Sequence, residues 1–184
     1  MKLRHLALTI ALCVVSTAGR AGLADPIYVQ NPGNVTLTYL GFEAAYTNTL
    51  WLHSPIRSGP IFVNKTTAPG TLFDLGLFPS GTPLEFSILV ADTGHEFFSG
   101  APASNPDSVA HASMEFVATG LVNVGFEDLW GGGDKDYNDL RFSVRNVSPN
   151  ISLPEPSTLW LAAGAVLLLG TRRRRVIAES LSQT

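Results

Sequence analysis

Glu127, Asp128, Asp134, Asp136 and Asp139 put five carboxylates into thirteen residues, with the amide of Asn138 and the run Gly131-Gly132-Gly133 among them. Like charges held so close repel one another unless something positive neutralises them. A hard cation does this most economically. Ca²⁺ takes roughly six to eight oxygen ligands in irregular geometry, and carboxylate and amide oxygens are the donors it prefers. Glu127, Asp128, Asp134, Asp136, Asn138 and Asp139 are therefore candidate calcium ligands. Asp134, Asp136 and Asn138 alternate as at the start of an EF-hand loop, but Asp139 stands where that loop needs glycine and Arg145 where it needs glutamate. The loop is not an EF-hand. The competing reading is a solvated acidic turn, partly neutralised by Lys135 and Arg141.

The elements flanking this loop must be strands. Val122, Val124 and Phe126 alternate before it, and Leu140, Phe142 and Val144 alternate after it, so each set shares one face. A hairpin of this kind crowds the carboxylates at its end, around glycines free to take positive φ. Further short apolar runs lie upstream at Val35–Leu40, Leu50–Leu52, Ile61–Val63, Thr71–Phe73, Leu84–Val90 and Ser113–Val117. Turn clusters such as Asn31-Pro32-Gly33, Ala68-Pro69-Gly70 and Pro79-Ser80-Gly81 punctuate them. No stretch between Asp25 and Leu153 keeps a helical period beyond two turns. The pattern predicts an all-β chain with a single β-sandwich or jelly-roll domain.

Other chemistries find less support. His53, His95 and His111 lack zinc-ligand spacing, although His111 follows the Asn105-Pro106-Asp107 turn and could approach the acidic loop. There is no Gly-x-Ser-x-Gly elbow, and Cys13 is the single cysteine. A glycoside hydrolase would need two acids flanking a sugar-sized cleft, not acids clustered on one hairpin. Trp130 and Tyr137 beside the loop could stack on a sugar, which makes a carbohydrate-binding module for exopolysaccharide the alternative to a purely structural role. Residues 25–153 hold thirteen acids against five bases, a net charge of minus eight. Such a surface is unsuited to nucleic acid, whose phosphates need Lys and Arg.

Both ends of the chain read as sorting segments. Lys2 and Arg4 precede an apolar core from Leu6 to Val15, and Gly22-Leu23-Ala24 offers a cleavage site before Asp25. At the other end Pro154-Glu155-Pro156 leads into an apolar run, Leu159–Gly170, and then into Arg172, Arg173, Arg174 and Arg175. The run is short for a permanent span, which wants roughly 20 apolar residues, and the arginines fix the end of the chain on the cytoplasmic side. Residues 154–175 resemble a PEP-CTERM signal of Gram-negative bacteria. The resemblance implies processing by an exosortase, with the protein held in the inner membrane by a short transmembrane helix before cleavage and then passed to the cell surface or released. Members of that family usually stop soon after the arginines, whereas this chain continues through residues 176–184 as a cytoplasmic tail.

The stretch Gly125-Phe126-Glu127-Asp128 to Asp139-Leu140-Arg141-Phe142 carries a second resemblance, to a domain of unknown function in exported bacterial proteins, many with PEP-CTERM tails. It extends from about Leu84 to Val144 and implies a calcium-binding β-sandwich without an assigned activity. The expected organisation is then a signal peptide at 1–24, a β-sandwich at 25–146, a stalk at 147–153, the sorting signal at 154–175 and the tail. The expected function is a non-enzymatic surface or extracellular-matrix protein, of the kind found in biofilms.

Overall fold

The computed structural model of the chain describes residues 26–149. The expected signal peptide, the sorting signal from Pro154 to Arg175, the tail and residues 150–153 of the stalk lie outside the described residues. The fold is all-β. Its strands are β1 (Ile27–Val29), β2 (Gly33–Gly41), β3 (Asn48–Ser54), β4 (Phe62–Val63), β5 (Leu72–Phe78), β6 (Pro83–Val90), β7 (Glu96–Phe98), β8 (Ala112–Ala118), β9 (Gly120–Phe126) and β10 (Leu140–Ser148). A 3-10 turn at Pro102–Ser104 is the one helical piece among the described residues, where no helix is long and apolar enough to cross a membrane.

All pairings are antiparallel, and they form one sheet that curls over on itself. One layer runs β8-β9-β10-β2-β5 and the other β4-β3-β6-β7. The short β1 joins them: Val29 pairs with Val147 of β10, and Ile27 pairs with Leu84 of β6. Alternation along the strands then fills the space between the layers. Val35, Leu37 and Tyr39 of β2, Val122, Val124 and Phe126 of β9, and Leu140, Phe142 and Val144 of β10 are all buried. They meet Leu50 of β3 and Phe86 and Ile88 of β6 in one core, where the Phe86 and Phe142 rings lie 5.1 Å apart and Tyr39 and Phe62 lie 5.3 Å apart. The arrangement is sandwich-like, as the alternation implied.

Two strands escape sequence reading because each has only three residues, too few to display a period: β1 and β7. A third, β5, extends well beyond Thr71–Phe73 despite Asp74 and Gly76 in its middle. Gly76 takes φ +95° where the register slips between Val35 and Thr36, and Asp74 bonds both Asn34 Nδ2 and the Gly76 N–H. A bulge thus carries the strand through residues that its composition disfavours. The last strand, β10, runs through Ser148 with Val147 buried, two residues into the segment expected as a stalk.

Candidate metal centre

The β9–β10 hairpin closes where Phe126 pairs with Leu140, and the loop between them folds back on itself. Gly131, Gly132 and Gly133 take φ of +83°, +80° and +49°, a left-handed run open to glycine at little cost. Lys135 and Tyr137 also adopt positive φ, 66° and 55°, one on each side of Asp136. Left-handed backbone at non-glycine residues is strained and persists only where its surroundings impose it. The outcome is convergence: carboxylate oxygens of Glu127, Asp134 and Asp136 lie within 4.8 Å of one another. Oxygens bound to one Ca²⁺ at about 2.4 Å can be at most about 4.8 Å apart, so one ion can bridge all three.

No cationic side chain is paired with the cluster among the described residues. Glu127 is only 1% exposed. Its Oε1 accepts the Tyr137 N–H at 2.5 Å, but burial, together with the charges of Asp134 and Asp136, still raises its pKa above the ordinary glutamate value. Gly133 has no room for a side chain, since a Cβ there would overlap Glu127 Oε2.

The other three candidate ligands are placed differently. Asn138 donates its N–H (3.2 Å) and its Nδ2–H to the carboxylate of Asp136, fixing that group from behind. Asp128 turns inward, accepting Asn48 Nδ2–H at 2.7 Å, while its own N–H donates to Asp139 Oδ2 at 2.8 Å. Burial, with the charges of Asp128 and Glu127, pushes Asp139 up to about 7. Asn48 is fixed in turn by buried Asn64, whose Oδ1 accepts the Asn48 N–H and whose Nδ2 donates to the Tyr46 carbonyl.

A further support was not assigned from sequence. His111 is fully buried, stacked on Phe97 with ring centroids 3.7 Å apart and planes 7° apart. Its Nδ1 faces the Glu127 carbonyl at 2.9 Å and its Nε2 faces Asp107 Oδ2 at 2.8 Å, so the ring bridges the two. Asp107 also accepts the Gly131 N–H at 2.7 Å and the Val109 N–H at 3.1 Å. Burial opposes its ionisation, but the bonds from Gly131, His111 and Val109 outweigh it and hold the carboxyl below its usual range. The Asn105-Pro106-Asp107 turn and the four-residue step to His111 were visible in the sequence, but not what they faced.

This arrangement predicts an acid-labile brace. Because the folded pKa of Asp107 is depressed, its contribution to stability is complete above its unfolded pKa of about 3.9 and is lost as pH falls through the folded value. Urea unfolding of Asp107→Asn should therefore show a deficit near neutral pH that shrinks below about pH 4. A deficit independent of pH would remove the ionised brace.

The aromatic residues near the loop do not share one surface. Trp130 is 56% exposed and packs on the His95 ring at 4.9 Å. Tyr137 instead lines a cavity of about 320 Å³ on the outer face of the β8-β9-β10-β2 layer, with Glu115, Asn123, Asp136 and Arg141. The histidines rest on separate aromatic neighbours, His53 on Phe98 and His95 on Phe97 and Trp130.

Residues 68–146 match the family model of a domain of unknown function (DUF4114). The match begins upstream of Leu84, taking in β5 as well as the acidic loop, while β1 to β4, with Asn48 and Asn64, lie outside it. No curated protein and no solved structure matches the chain.

Proposed function

We propose that this domain is a non-enzymatic calcium-binding module of an exported protein, working at the cell surface or in the extracellular matrix. The observation that carries the reading is the convergence of Glu127, Asp134 and Asp136 within 4.8 Å, with Glu127 buried and no cationic side chain paired to any of them. Calcium supplies the missing charge and accepts carboxylate oxygens at this spacing. Extracellular calcium modules bind at about 10⁻⁴–10⁻³ M. At 10 mM Ca²⁺ such a site stabilises the folded state by about 1.4–2.7 kcal/mol, a rise in Tm of about 5–10 °C for a domain of this size. Differential scanning calorimetry with and without chelator measures it, and Glu127→Gln should abolish most of the response. An identical midpoint in both conditions rules calcium out.

The export half of the reading rests on the chain ends, where a basic-then-apolar leader and Pro154-Glu155-Pro156 followed by Arg172–Arg175 bracket the domain. An exosortase in the inner membrane is the partner this tail implies. The protein recovered from its native cells should have an intact mass lacking residues 1–24 and the segment after the Pro-Glu-Pro motif. A full-length mass would end this part of the proposal.

A further inference from the structure

The cavity lined by Tyr137 has a floor built from outward-facing sheet positions. Ser113 of β8, Gly125 of β9 and Arg141 of β10 form one cross-strand row, with the Tyr137 carbonyl packed over Gly125 beside the arginine. Glu115 and Asn123 face each other in a neighbouring row, and Asp136 and Tyr137 overhang from the acidic loop. At about 320 Å³ the space lies at the small end of ligand pockets, which run from roughly 300 to 1,000 Å³. Its wall holds hydroxyl, amide, carboxylate and guanidinium groups together with a phenol ring.

Arg141 is the under-satisfied member. Its Nε is buried without an acceptor, and its Nη2 reaches the exposed Glu43 carboxylate only at 3.4 Å. The weakly held terminal end of this guanidinium, beside hydroxyl and amide groups, matches a ligand carrying both a carboxylate and hydroxyls, since its two terminal nitrogens can pair with a carboxylate bidentately. Asp136 belongs to both the cavity wall and the carboxylate cluster, so an ion held there stands at the rim of the cavity.

The geometry points to this groove as a calcium-gated site for a sugar acid, a uronate unit whose carboxylate meets Arg141 and the ion while its hydroxyls meet Ser113, Asn123 and Glu115. This rests on the calcium reading above. Without the ion, Glu115 and Asp136 outnumber Arg141 and repel an acidic ligand; a Ca²⁺ held by Glu127, Asp134 and Asp136 offsets most of that repulsion and offers the ligand carboxylate a cation. The site differs from the aromatic platform that the sequence suggested, because Trp130 lies against His95.

Isothermal titration of the full-length protein with a galacturonate trimer, with galacturonate itself, with a neutral glucose trimer and with a triglutamate peptide tests it. Saturable binding of the galacturonates in millimolar Ca²⁺, lost with chelator, is expected. Tighter binding of the trimer assigns the groove to a polysaccharide, and equal binding assigns it to a single sugar acid; both support the chemistry. Arg141→Gln should weaken binding about tenfold or more, the loss of a charge-assisted contact, while keeping the calcium-induced rise in Tm. No galacturonate binding despite an intact calcium response overturns the groove alone, whereas absence of the calcium response overturns the reading beneath it. Equal binding of the glucose trimer or the peptide, or full affinity in Arg141→Gln, also overturns the proposal.

Discussion

Replacing His111 with alanine should lower the unfolding free energy by about 3–5 kcal/mol, the range for truncating a fully buried aromatic ring. Three losses coincide at this position. The Asp107 carboxylate loses its bond to Nε2, the Glu127 carbonyl loses its bond from Nδ1, and the Phe97 ring loses its stacking partner. Gly131 and Val109 still donate to Asp107, but the buried carboxylate loses its side-chain hydrogen-bond partner. Against a total stability of about 5–15 kcal/mol this is a large fraction. Because the Glu127 carbonyl faces the His111 ring and the Glu127 N–H donates to the His111 carbonyl, calcium affinity should fall along with stability. Urea denaturation and calcium titration of the same variant measure both. A loss under about 1 kcal/mol would show that neither the contacts nor the packing of this histidine holds the loop.

Gly125→Ala should be damaging for a different reason. A Cβ at Gly125 would overlap the backbone carbonyl oxygen of Tyr137, and a backbone atom cannot step aside as a side-chain end can. Overpacking of this sort costs about 1–3 kcal/mol. Here the displaced group matters more than the cost. Tyr137 carries the N–H that binds Glu127 Oε1, and it follows Asp136 directly, so moving it loosens two of the three converging carboxylates. The calcium-dependent rise in Tm should therefore shrink by more than the basal midpoint drops. Gly59→Ala is the matched control, because nothing lies within 4 Å of the added carbon and no positive φ is required. Its midpoint should stay within about 1 kcal/mol of the wild type or rise slightly. A Gly125→Ala protein with an undiminished calcium response would disprove the coupling.

The strands and the loop were readable for one reason: their information is local. Alternation put Val122, Val124 and Phe126 opposite Leu140, Phe142 and Val144, and all six are buried. The triple glycine announced positive φ and delivers it. What could not be read is which acids face one another, because that depends on the left-handed turns at Lys135 and Tyr137, residues with no compositional preference for them. Six ligand candidates resolve into three converging carboxylates, one fixing amide at Asn138, and the pair Asp128–Asp139 turned toward Asn48. The supports were equally hidden. Asn48 lies eighty residues from Asp128, and His111 lies sixteen from Glu127. Only tertiary pairing brings them to the loop.

The small strand β1 has a consequence in time as well as in space. Its Val29 pairs with Val147, so the first strand of the domain waits for the last before the two layers can be joined. Such pairing of distant segments makes folding slow and late, since the loop must be closed before its contacts repay the entropy. A chain emerging N-terminus first cannot finish this sheet until β10 has been delivered. The topology therefore lets β3–β6 and β2–β5 pair early but leaves the β1–β10 seam between the layers open until the last strand has been made.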